Sequence, residues 1–462
     1  MENDVCIDTV ERPSRLARMT APAKRLMVVA FLDDFAVAAV AMGVQWLGIS
    51  LGASTQVLGI LPALSGIAYT AGCLFSGPLS DRWGRRRPAM LSCLITGIVW
   101  LLMSRSTSPI HLLILMPFSG AALALLWPST QAWLGEFCGD NSKRLNRTIS
   151  LFNLSWSAGI MLGTLLAGWM VIHGYSWPFV ISALLSFICL GVLFMTPPGQ
   201  QADAPAPATA GEVSLEKAQL FLYLAWIGNF ASWFCRGTIG AIFPKLGDTL
   251  DFSKPLVSAL AFVPTLALCL MFGMARLSQR WQYHLRILLA AEVAGVAGMV
   301  VAWQANSPTM FTIGFTLTGL CTAITYISSL TYALRGTSGS RGKRSGLHEA
   351  VLGFGIIIGP LVAGFLGQRI SLHTPFLACA IVFVLAMAAQ GVVWVKMTKA
   401  SAVAASSAWE ASPEADRVAS GSGEPSHNTG TSETAGPVAH VRPSAVSATP
   451  AAFGGREAED GK

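Results

Sequence analysis

Charged residues are scarce in this chain: they make up 12 % of its 462 residues, whereas 53 % are hydrophobic. So little charge excludes an ordinary soluble domain. The nine cysteines form no CxxC pair and lie mostly inside apolar runs. This pattern indicates that they are small packing residues rather than parts of a disulfide framework or a zinc site. No phosphate-binding Walker loop is present, so ATP is not expected as the energy source.

Apolar runs dominate instead, and twelve of them are long enough to cross a hydrocarbon core of roughly 30 Å as helices. The first run holds Asp33 and Asp34 and is too long for a cleaved signal peptide, so we expect it to remain in the protein. The predicted spans are residues 26–48, 55–76, 89–104, 109–134, 148–172, 177–196, 218–243, 256–275, 287–305, 308–334, 348–368 and 374–396.

The distribution of basic residues predicts how these spans are oriented. Lysine and arginine concentrate in alternate connecting segments, beginning with the segment before residue 26 and the segment GPLSDRWGRRR at 77–87. Because cytoplasmic loops carry an excess of Lys and Arg, both termini are predicted to lie in the cytoplasm, with the spans in the inner cell membrane. The net charge of +7 therefore reflects topology rather than nucleic-acid binding.

Composition divides the chain into five parts. A polar segment separates six predicted spans from six and is typical of a flexible linker. The residues from about 400 onward are rich in Ala, Ser, Gly, Pro and Glu, which predicts disorder. The predicted parts are a cytoplasmic N-terminal segment at 1–24, a six-helix bundle at 25–196, a cytoplasmic linker at 197–217, a second six-helix bundle at 218–397 and a disordered cytoplasmic tail at 398–462.

The two halves resemble each other, which indicates an internal duplication. GIMLGTLLAG at 159–168 matches GIIIGPLVAG at 355–364, and LSDRW at 79–83 matches LSQRW at 277–281. Two similar bundles can rock about a site near the bilayer midplane, although static packing explains the glycines equally well. Small residues let helices approach closely and proline kinks a helix, so the predicted packing positions are Gly159, Gly163, Gly168, Gly355, Gly359, Pro360 and Gly364.

The segment GPLSDRWGRRR resembles the signature loop between the second and third helices of the major facilitator superfamily. The matching residues are Gly77, Leu79, Asp81, Arg82, Gly84, Arg85, Arg86 and Arg87. Together with the twelve spans, the central linker and the duplicated loop, the resemblance covers about residues 20–400. It implies an all-α membrane protein with twelve transmembrane helices in two pseudo-symmetric six-helix bundles, which expose a central site to each side in turn.

The resemblance also implies a latch at the cytoplasmic end. The family's equivalent of Asp81 meets the start of the eleventh helix, here near 346–349, and an acid at the end of the fourth helix, here Glu136, would receive Arg82. A helix N-terminus stabilises a nearby carboxylate by about 0.3–1 kcal/mol when exposed. The second copy has Gln279 in place of Asp81, so its latch is expected to be weaker. Fixing topology alone is the competing explanation for the arginines of the motif.

Charges inside membrane spans are costly and mark candidate transport residues. Asp33 and Asp34 could carry a proton coupled to conformation, or lie at the headgroups or at a kinked helix start. Arg236 keeps its charge, so it either contacts a substrate anion or a carboxylate, or extends toward the outer surface. Aromatic walls with a few polar groups suit an amphipathic organic solute, and the candidate residues for them are Trp127, Gln131, Asn153, Trp156, Trp226, Asn229, Trp233, Thr325 and Tyr326.

Three further polar residues are weaker candidates for a role in transport. The resemblance puts the ninth helix on the outside of the fold, which argues against a transport role for Glu292. His348 and Glu349 are interpreted as the capped start of the eleventh helix rather than a metal site, because no second histidine completes an HExxH motif.

These observations predict a secondary transporter that moves a small organic solute by alternating access, coupled to protons through Asp33 or Asp34. No enzyme activity and no cofactor are expected, since a proton or ion gradient would supply the energy. The expected partners are the solute and the lipid bilayer, without nucleic acid, and the protein is expected to be monomeric. Drug or metabolite efflux and organic-anion uptake both stay open, because Met116 and Thr164 depart from signatures of proton-coupled drug exporters. A transport-inactive receptor or scaffold of the same fold is the alternative.

Overall fold

The structure is a computed structural model that describes residues 21–137, 142–198, 215–275, 281–334 and 341–410. Regular structure within these ranges is α-helical, and each of its twelve helices overlaps one of the twelve predicted spans. They are α1 (Ala21–Ser50), α2 (Thr55–Trp83), α3 (Arg86–Met103), α4 (Pro109–Glu136), α5 (Ser142–His173), α6 (Trp177–Phe194), α7 (Leu215–Thr249), α8 (Lys254–Ala275), α9 (Leu285–Gln304), α10 (Pro308–Leu334), α11 (Arg341–Arg369) and α12 (Thr374–Glu410).

Several helices extend beyond the apolar runs that predicted them. α1 begins at Ala21, α7 ends at Thr249 and α11 begins at Arg341. Helical hydrogen bonding continues where charged side chains reach the headgroups, so the apolar run marks only the part inside the hydrocarbon. α2 likewise continues to Trp83, so the first part of the motif at 77–87 is the end of a helix rather than a loop.

Most of the predicted linker lies outside the described residues, as does the N-terminal segment apart from its last residues. α12 continues to Glu410, into the segment predicted to be a disordered tail, and the rest of that segment lies outside the described residues. The chain divides into two units, Met1–Ala402 and Val403–Lys462, and the packing below concerns the first.

Eleven of the described helices are long and apolar enough to cross a membrane. α7 is not among them, and it carries polar and charged residues along its length, including Asn229 and Arg236. Such a helix is stable in a bilayer only when these side chains face other helices or a water-filled cavity. The composition of α7 therefore indicates that it lines the interior of the protein.

The helices pack into two groups with the same internal pairing. In the first six helices, α1 contacts α5, while α2 and α3 both contact α4. The last six repeat this pattern, with α7 against α11, and with α8 and α9 both against α10. Between the groups, α2 packs against α11 and α5 packs against α8. Because α2 corresponds to α8 and α5 to α11, these two contacts are equivalent. The pairing therefore has the pseudo-two-fold symmetry expected of an internal duplication.

Glycines set how closely the paired helices approach. A Cβ atom at Gly159 or Gly163 of α5 would overlap the carbonyl oxygen of Phe31 or Phe35 in α1. The two helices therefore touch backbone to backbone, which is the close approach that small residues permit in lipid.

The second half repeats this contact. Gly355 and Gly359 of α11 face the backbone of Phe230 and Phe234 in α7. FLDDF in α1 and FASWF in α7 consequently occupy equivalent positions, with their phenylalanines four residues apart in both. Only the two phenylalanines are shared in this third match between the halves, so the equivalence is established by the packing and not by the sequence.

The two groups meet closely at the end of the bundle predicted to lie outside the cell. Gly59 of α2 lies against Gly364 and the carbonyl group of Pro360 in α11. The backbone N–H of Thr55 donates to Gln368 Oε1 across the same boundary, at 2.9 Å. α2 and α11 are therefore in direct contact at this end.

α5 and α8 form the matching contact. Gly168 of α5 lies against the carbonyl group of Lys254 at the start of α8. Lys254 Nζ donates to Tyr175 Oη at 3.0 Å and lies 4.6 Å from the centre of that ring and 5.8 Å from the ring of Trp46. One apolar core joins the halves here, and its buried residues include Met42, Trp46, Ala167, Val171, Phe234, Ile239, Phe243 and Leu246. This end of the bundle, which the sequence predicts to face outside and which is termed the outer end, is closed.

Candidate functional site

The motif at 77–87 forms an ion pair that ties α3 to α4. Arg85 Nε donates to Glu136 Oε1 at 2.8 Å, and its Nη1 donates to Ser80 Oγ at 3.2 Å. The expected partner of Glu136 was Arg82, but that side chain is exposed. The reason is local: α2 stays helical up to Gly84, whose φ of +77° turns the chain so that Arg85, rather than Arg82, faces the end of α4.

Arg86 of the motif also has a structural role beyond topology. Its guanidinium donates to the carbonyl oxygen of Phe194 and lies 5.0 Å from the centre of that ring, while Arg25 of α1 donates to the carbonyl oxygen of Met195. Cations at a helix C-terminus satisfy free carbonyl groups and oppose the negative end of the helix dipole. These arginines therefore bind the C-terminal end of α6.

The contact expected for the latch lies outside the described residues. The side chain of Asp81 is not described, and neither are residue Gln279, the side chains at 341–346 of α11 and the surroundings of Gly77. His348 and Glu349 lie well inside α11, which begins at Arg341, so they are not its capped start. The latch through Asp81 stays a prediction.

Asp33 and Asp34 point in different directions. Both are buried, and Asp34 lies thirteen residues after Ala21, about 20 Å along α1 at 1.5 Å per residue, which places it near the middle of the span. Asp33 faces the interior of the first bundle, near Cys93 of α3 and Cys189 of α6. Asp34 instead faces the second half and lies within electrostatic range of Arg236.

Arg236 lies deeper than the apolar run suggested. α7 continues thirteen residues beyond it to Thr249, about 20 Å, so the side chain does not reach the outer surface. Its Nη2 donates to Thr265 Oγ1 at 3.1 Å, and its guanidinium lies 5.4 Å from the centre of the Trp233 ring. No described carboxylate, Asp34 included, lies within ion-pair distance of it. Arg236 is thus a half-buried cation with spare hydrogen-bond donors.

Aromatic rings surround this region and bridge the halves. The Tyr326 ring of α10 lies 6.0 Å from Trp156 of α5 and 6.0 Å from Trp233 of α7, measured between centroids. It also lies 5.6 Å from Phe272 and 5.3 Å from His348. Tyr326 is therefore the centre of an aromatic cluster built from five helices.

Two more polar groups reach the same place. Tyr69 of α2 and Tyr326 each lie within electrostatic range of Asp34 and of Glu349, and the Glu349 side chain is exposed to solvent. Sequence reasoning assigned no role to Tyr69 and placed Glu349 at a helix end. The central site is defined from here on as Asp34, Tyr69, Trp156, Trp233, Arg236, Tyr326 and Glu349.

The other expected lining residues differ in their surroundings. Trp127 packs edge-on against Phe152, with 5.7 Å between ring centroids, beside an apolar cluster that includes Trp233 and Tyr326 of the second half. Gln131 is exposed. Asn229 is fully buried, and neither its amide nitrogen nor its amide oxygen has a hydrogen-bond partner. Glu292, expected on the outside of the fold, is also fully buried.

Comparison with known proteins gives a family and a fold. The family model described as Major Facilitator Superfamily matches residues 26–303 and 225–445. The multidrug resistance protein MdtH of Aeromonas salmonicida (strain A449) is 24 % identical over 313 residues, covering 66 % of this chain and 76 % of that protein. The gallate transporter of Pseudomonas putida is 26 % identical over 326 residues, covering 64 % and 69 %.

Two solved structures have the same fold at low sequence identity. A bacterial homologue of the human lysosomal transporter Spinster, in an inward-facing and unoccupied conformation, superposes with a TM-score of 0.65 at 14 % identity, over 82 % of this chain and 97 % of that one. The nucleoside transporter NupG superposes with a TM-score of 0.63 at 13 % identity, over 81 % and 99 %. Likeness at this identity establishes the fold alone.

Proposed function

The chain belongs to the Major Facilitator Superfamily and is a secondary transporter of small solutes, and on that premise we propose that it couples the uptake of a small aromatic carboxylic acid to an inward flow of protons. The observation that carries this proposal is Arg236. A guanidinium at mid-membrane with spare donors, next to Trp233 and Tyr326, suits a flat anionic solute, because the planar fork binds a carboxylate and the rings stack on the aromatic part.

Asp34 supplies the coupling. When it is ionised, its negative charge offsets that of Arg236, and the site attracts an organic anion weakly. When it is protonated, the positive field of Arg236 is no longer compensated, and an anion binds more tightly. Proton and solute therefore bind together, which is the requirement for symport.

Access from each side follows from the packing. The outer end is closed by α2 with α11 and by α5 with α8, while Glu349 of the central site is exposed to solvent. This combination supports a form open to the inside. Rocking of the two halves about the central site would then open the outer end and close the inner one.

Export of lipophilic cations is the second candidate function. It is favoured by the two carboxylates of the central site, Asp34 and the exposed Glu349, which would attract a positively charged aromatic compound. A multidrug resistance protein is among the matched relatives.

The remaining assignments belong to the same proposal. The protein is a transporter rather than an enzyme, works as a monomer in the inner cell membrane, and has both termini in the cytoplasm. Its energy comes from a proton gradient, without ATP or a bound cofactor. The distribution of Lys and Arg along the chain supports the orientation.

Uptake by proteoliposomes tests the proposal. Labelled gallate and 4-hydroxybenzoate are offered with an acidic exterior, and protein-free liposomes correct for passive entry. Arg236→Ala removes charge-assisted hydrogen bonds worth about 1.5–3 kcal/mol, so we expect at least about tenfold weaker uptake. Asp34→Asn should still exchange solute across the membrane but lose accumulation driven by the gradient.

Asp33→Asn is the matched comparison, because Asp33 is equally buried but faces away from Arg236. It should retain gradient-driven accumulation. Full accumulation in Arg236→Ala would refute the anion site. Transport of tetraphenylphosphonium in place of the two acids, abolished by Asp34→Asn, would establish the export alternative.

A further inference from the structure

Glu292 lies at a junction of three helices inside the second bundle, away from the central site. Its Oε1 accepts a hydrogen bond from Gln390 Nε2 of α12 at 2.6 Å. The same nitrogen donates to the carbonyl oxygen of Leu224 in α7 at 2.9 Å. Room for the carboxyl group comes from Gly228, where a Cβ atom would overlap Glu292 Oε1. The sequence of α7 thus leaves space for this acid.

Two atoms of the pair have no partner. Both hydrogens of the Gln390 amide are used, yet Gln390 Oε1 and Glu292 Oε2 are buried without a hydrogen bond. Both atoms are acceptors when the carboxyl group is ionised, and buried acceptors left unpaired are costly. A proton on Oε2 converts one of them into a donor, and the carboxylic acid and the amide can then satisfy each other.

Among the described residues, none that contacts Glu292 carries a charge that would stabilise an ionised carboxylate. The groups beside Glu292 are Gly228 and the Leu224 carbonyl of α7, Cys321 of α10 and Gln390 of α12, and the Thr325 methyl group lies next to Gly228. An isolated carboxylate in such a place takes up a proton rather than remain charged.

Hydroxyl and thiol groups lie beside this junction. Ser232 Oγ lies 2.8 Å from Thr325 Oγ1 and 3.7 Å from Cys321 Sγ, and the thiol lies near Glu292. Groups with exchangeable protons are therefore close to the acid.

We propose that Glu292 is a second proton-binding site, paired with Gln390. In the transfer an O–H bond forms at Glu292 Oε2 while one breaks at a hydronium ion, which is left as water, and no oxidation state changes. Only the use of this proton in the transport cycle rests on the proposed function, because the binding itself needs no solute.

Infrared difference spectroscopy on the full chain in liposomes tests the site. Spectra at acidic and alkaline pH are subtracted, and the carbonyl band of protonated carboxyl groups is recorded without any solute. We expect Glu292→Gln to lose one component of this band, and Asp34→Asn and Asp33→Asn to keep that component. A Glu292→Gln spectrum identical to that of the unmodified protein would overturn the proposal.

Gln390→Met provides a second test that does not depend on folding of the Glu292 variant. Loss of the amide should shift the frequency of the Glu292 component, whereas Gln45→Met, which removes a buried glutamine of α1 bonded to the Leu58 carbonyl, should leave it in place. A band unchanged by Gln390→Met would contradict the acid–amide pair. If the band behaves as expected while Asp34→Asn still accumulates solute with the gradient, the proton site stands and the proposed coupling fails.

Discussion

Replacing Lys254 with alanine should open the outer end of the protein. Lys254 begins α8 in the second half, and its ammonium group donates to Tyr175 Oη at 3.0 Å in the segment before α6 of the first half. It also lies over the rings of Tyr175 and Trp46. Since the partners belong to opposite halves, these interactions exist only while the outer end is closed.

The magnitude follows from these contacts. A hydrogen bond from a charged donor contributes about 1.5–3 kcal/mol, and a cation–π contact near the surface about 0.5–1 kcal/mol. Lys254 is half-buried and water replaces part of what is lost, so the lower end of the sum, about 2 kcal/mol, is the appropriate value. That corresponds to a shift of about 30-fold in the equilibrium between outer-closed and outer-open forms.

Pulsed electron paramagnetic resonance measures this equilibrium. Spin labels at Ile110 and Ile370, which are exposed at the outer ends of α4 and α11, report the separation of the halves in a background without the native cysteines. Lys254→Ala should increase the population at long distance. Lys245→Ala is the matched control, because Lys245 pairs at 3.6 Å with Asp248 of its own helix. Equal distance distributions in all three proteins would refute the reasoning.

Two further predictions concern packing and charge. Gly163→Ala should lower the thermal unfolding temperature strongly or prevent folding, because the new methyl group meets the α1 backbone. Gly191→Ala is the control: its Cβ position is open, so the unfolding temperature should change little. Glu136→Gln should destabilise the protein by about 1–2 kcal/mol in chemical unfolding, because the 2.8 Å hydrogen bond from the largely buried Arg85 then has a neutral acceptor. Asp248→Asn at an exposed pair should cost at most about 0.5 kcal/mol, and equal losses would contradict this ranking.

Particular residues show where sequence reasoning was sufficient. The twelve helices were predicted because the hydrocarbon thickness sets a minimum length of apolar chain, and that length is visible in the sequence. The duplication was predicted because glycines at helix contacts cannot be replaced without collision, so GIMLGTLLAG and GIIIGPLVAG remain alike. Both properties are local or periodic along the chain.

Other residues show where sequence reasoning was not sufficient. Asp33 and Asp34 are neighbours in sequence, but successive side chains of an α-helix point about 100° apart, so one faces the bundle interior and the other faces Arg236. Glu136 received Arg85 rather than Arg82 because of the turn at Gly84. In both cases the choice between residues close together in sequence depended on the direction in which the backbone presents each side chain.

The sequence by itself determined the membrane location of the chain, the number of helices, their division into two related halves and the family. The tertiary structure decided which polar side chains meet: it brought Tyr69 and Glu349 to the central site and buried Glu292 against Gln390. The physical reason is that hydrophobic length and glycine spacing act along one helix, whereas the meeting of polar groups depends on the mutual rotation, depth and tilt of helices far apart in sequence.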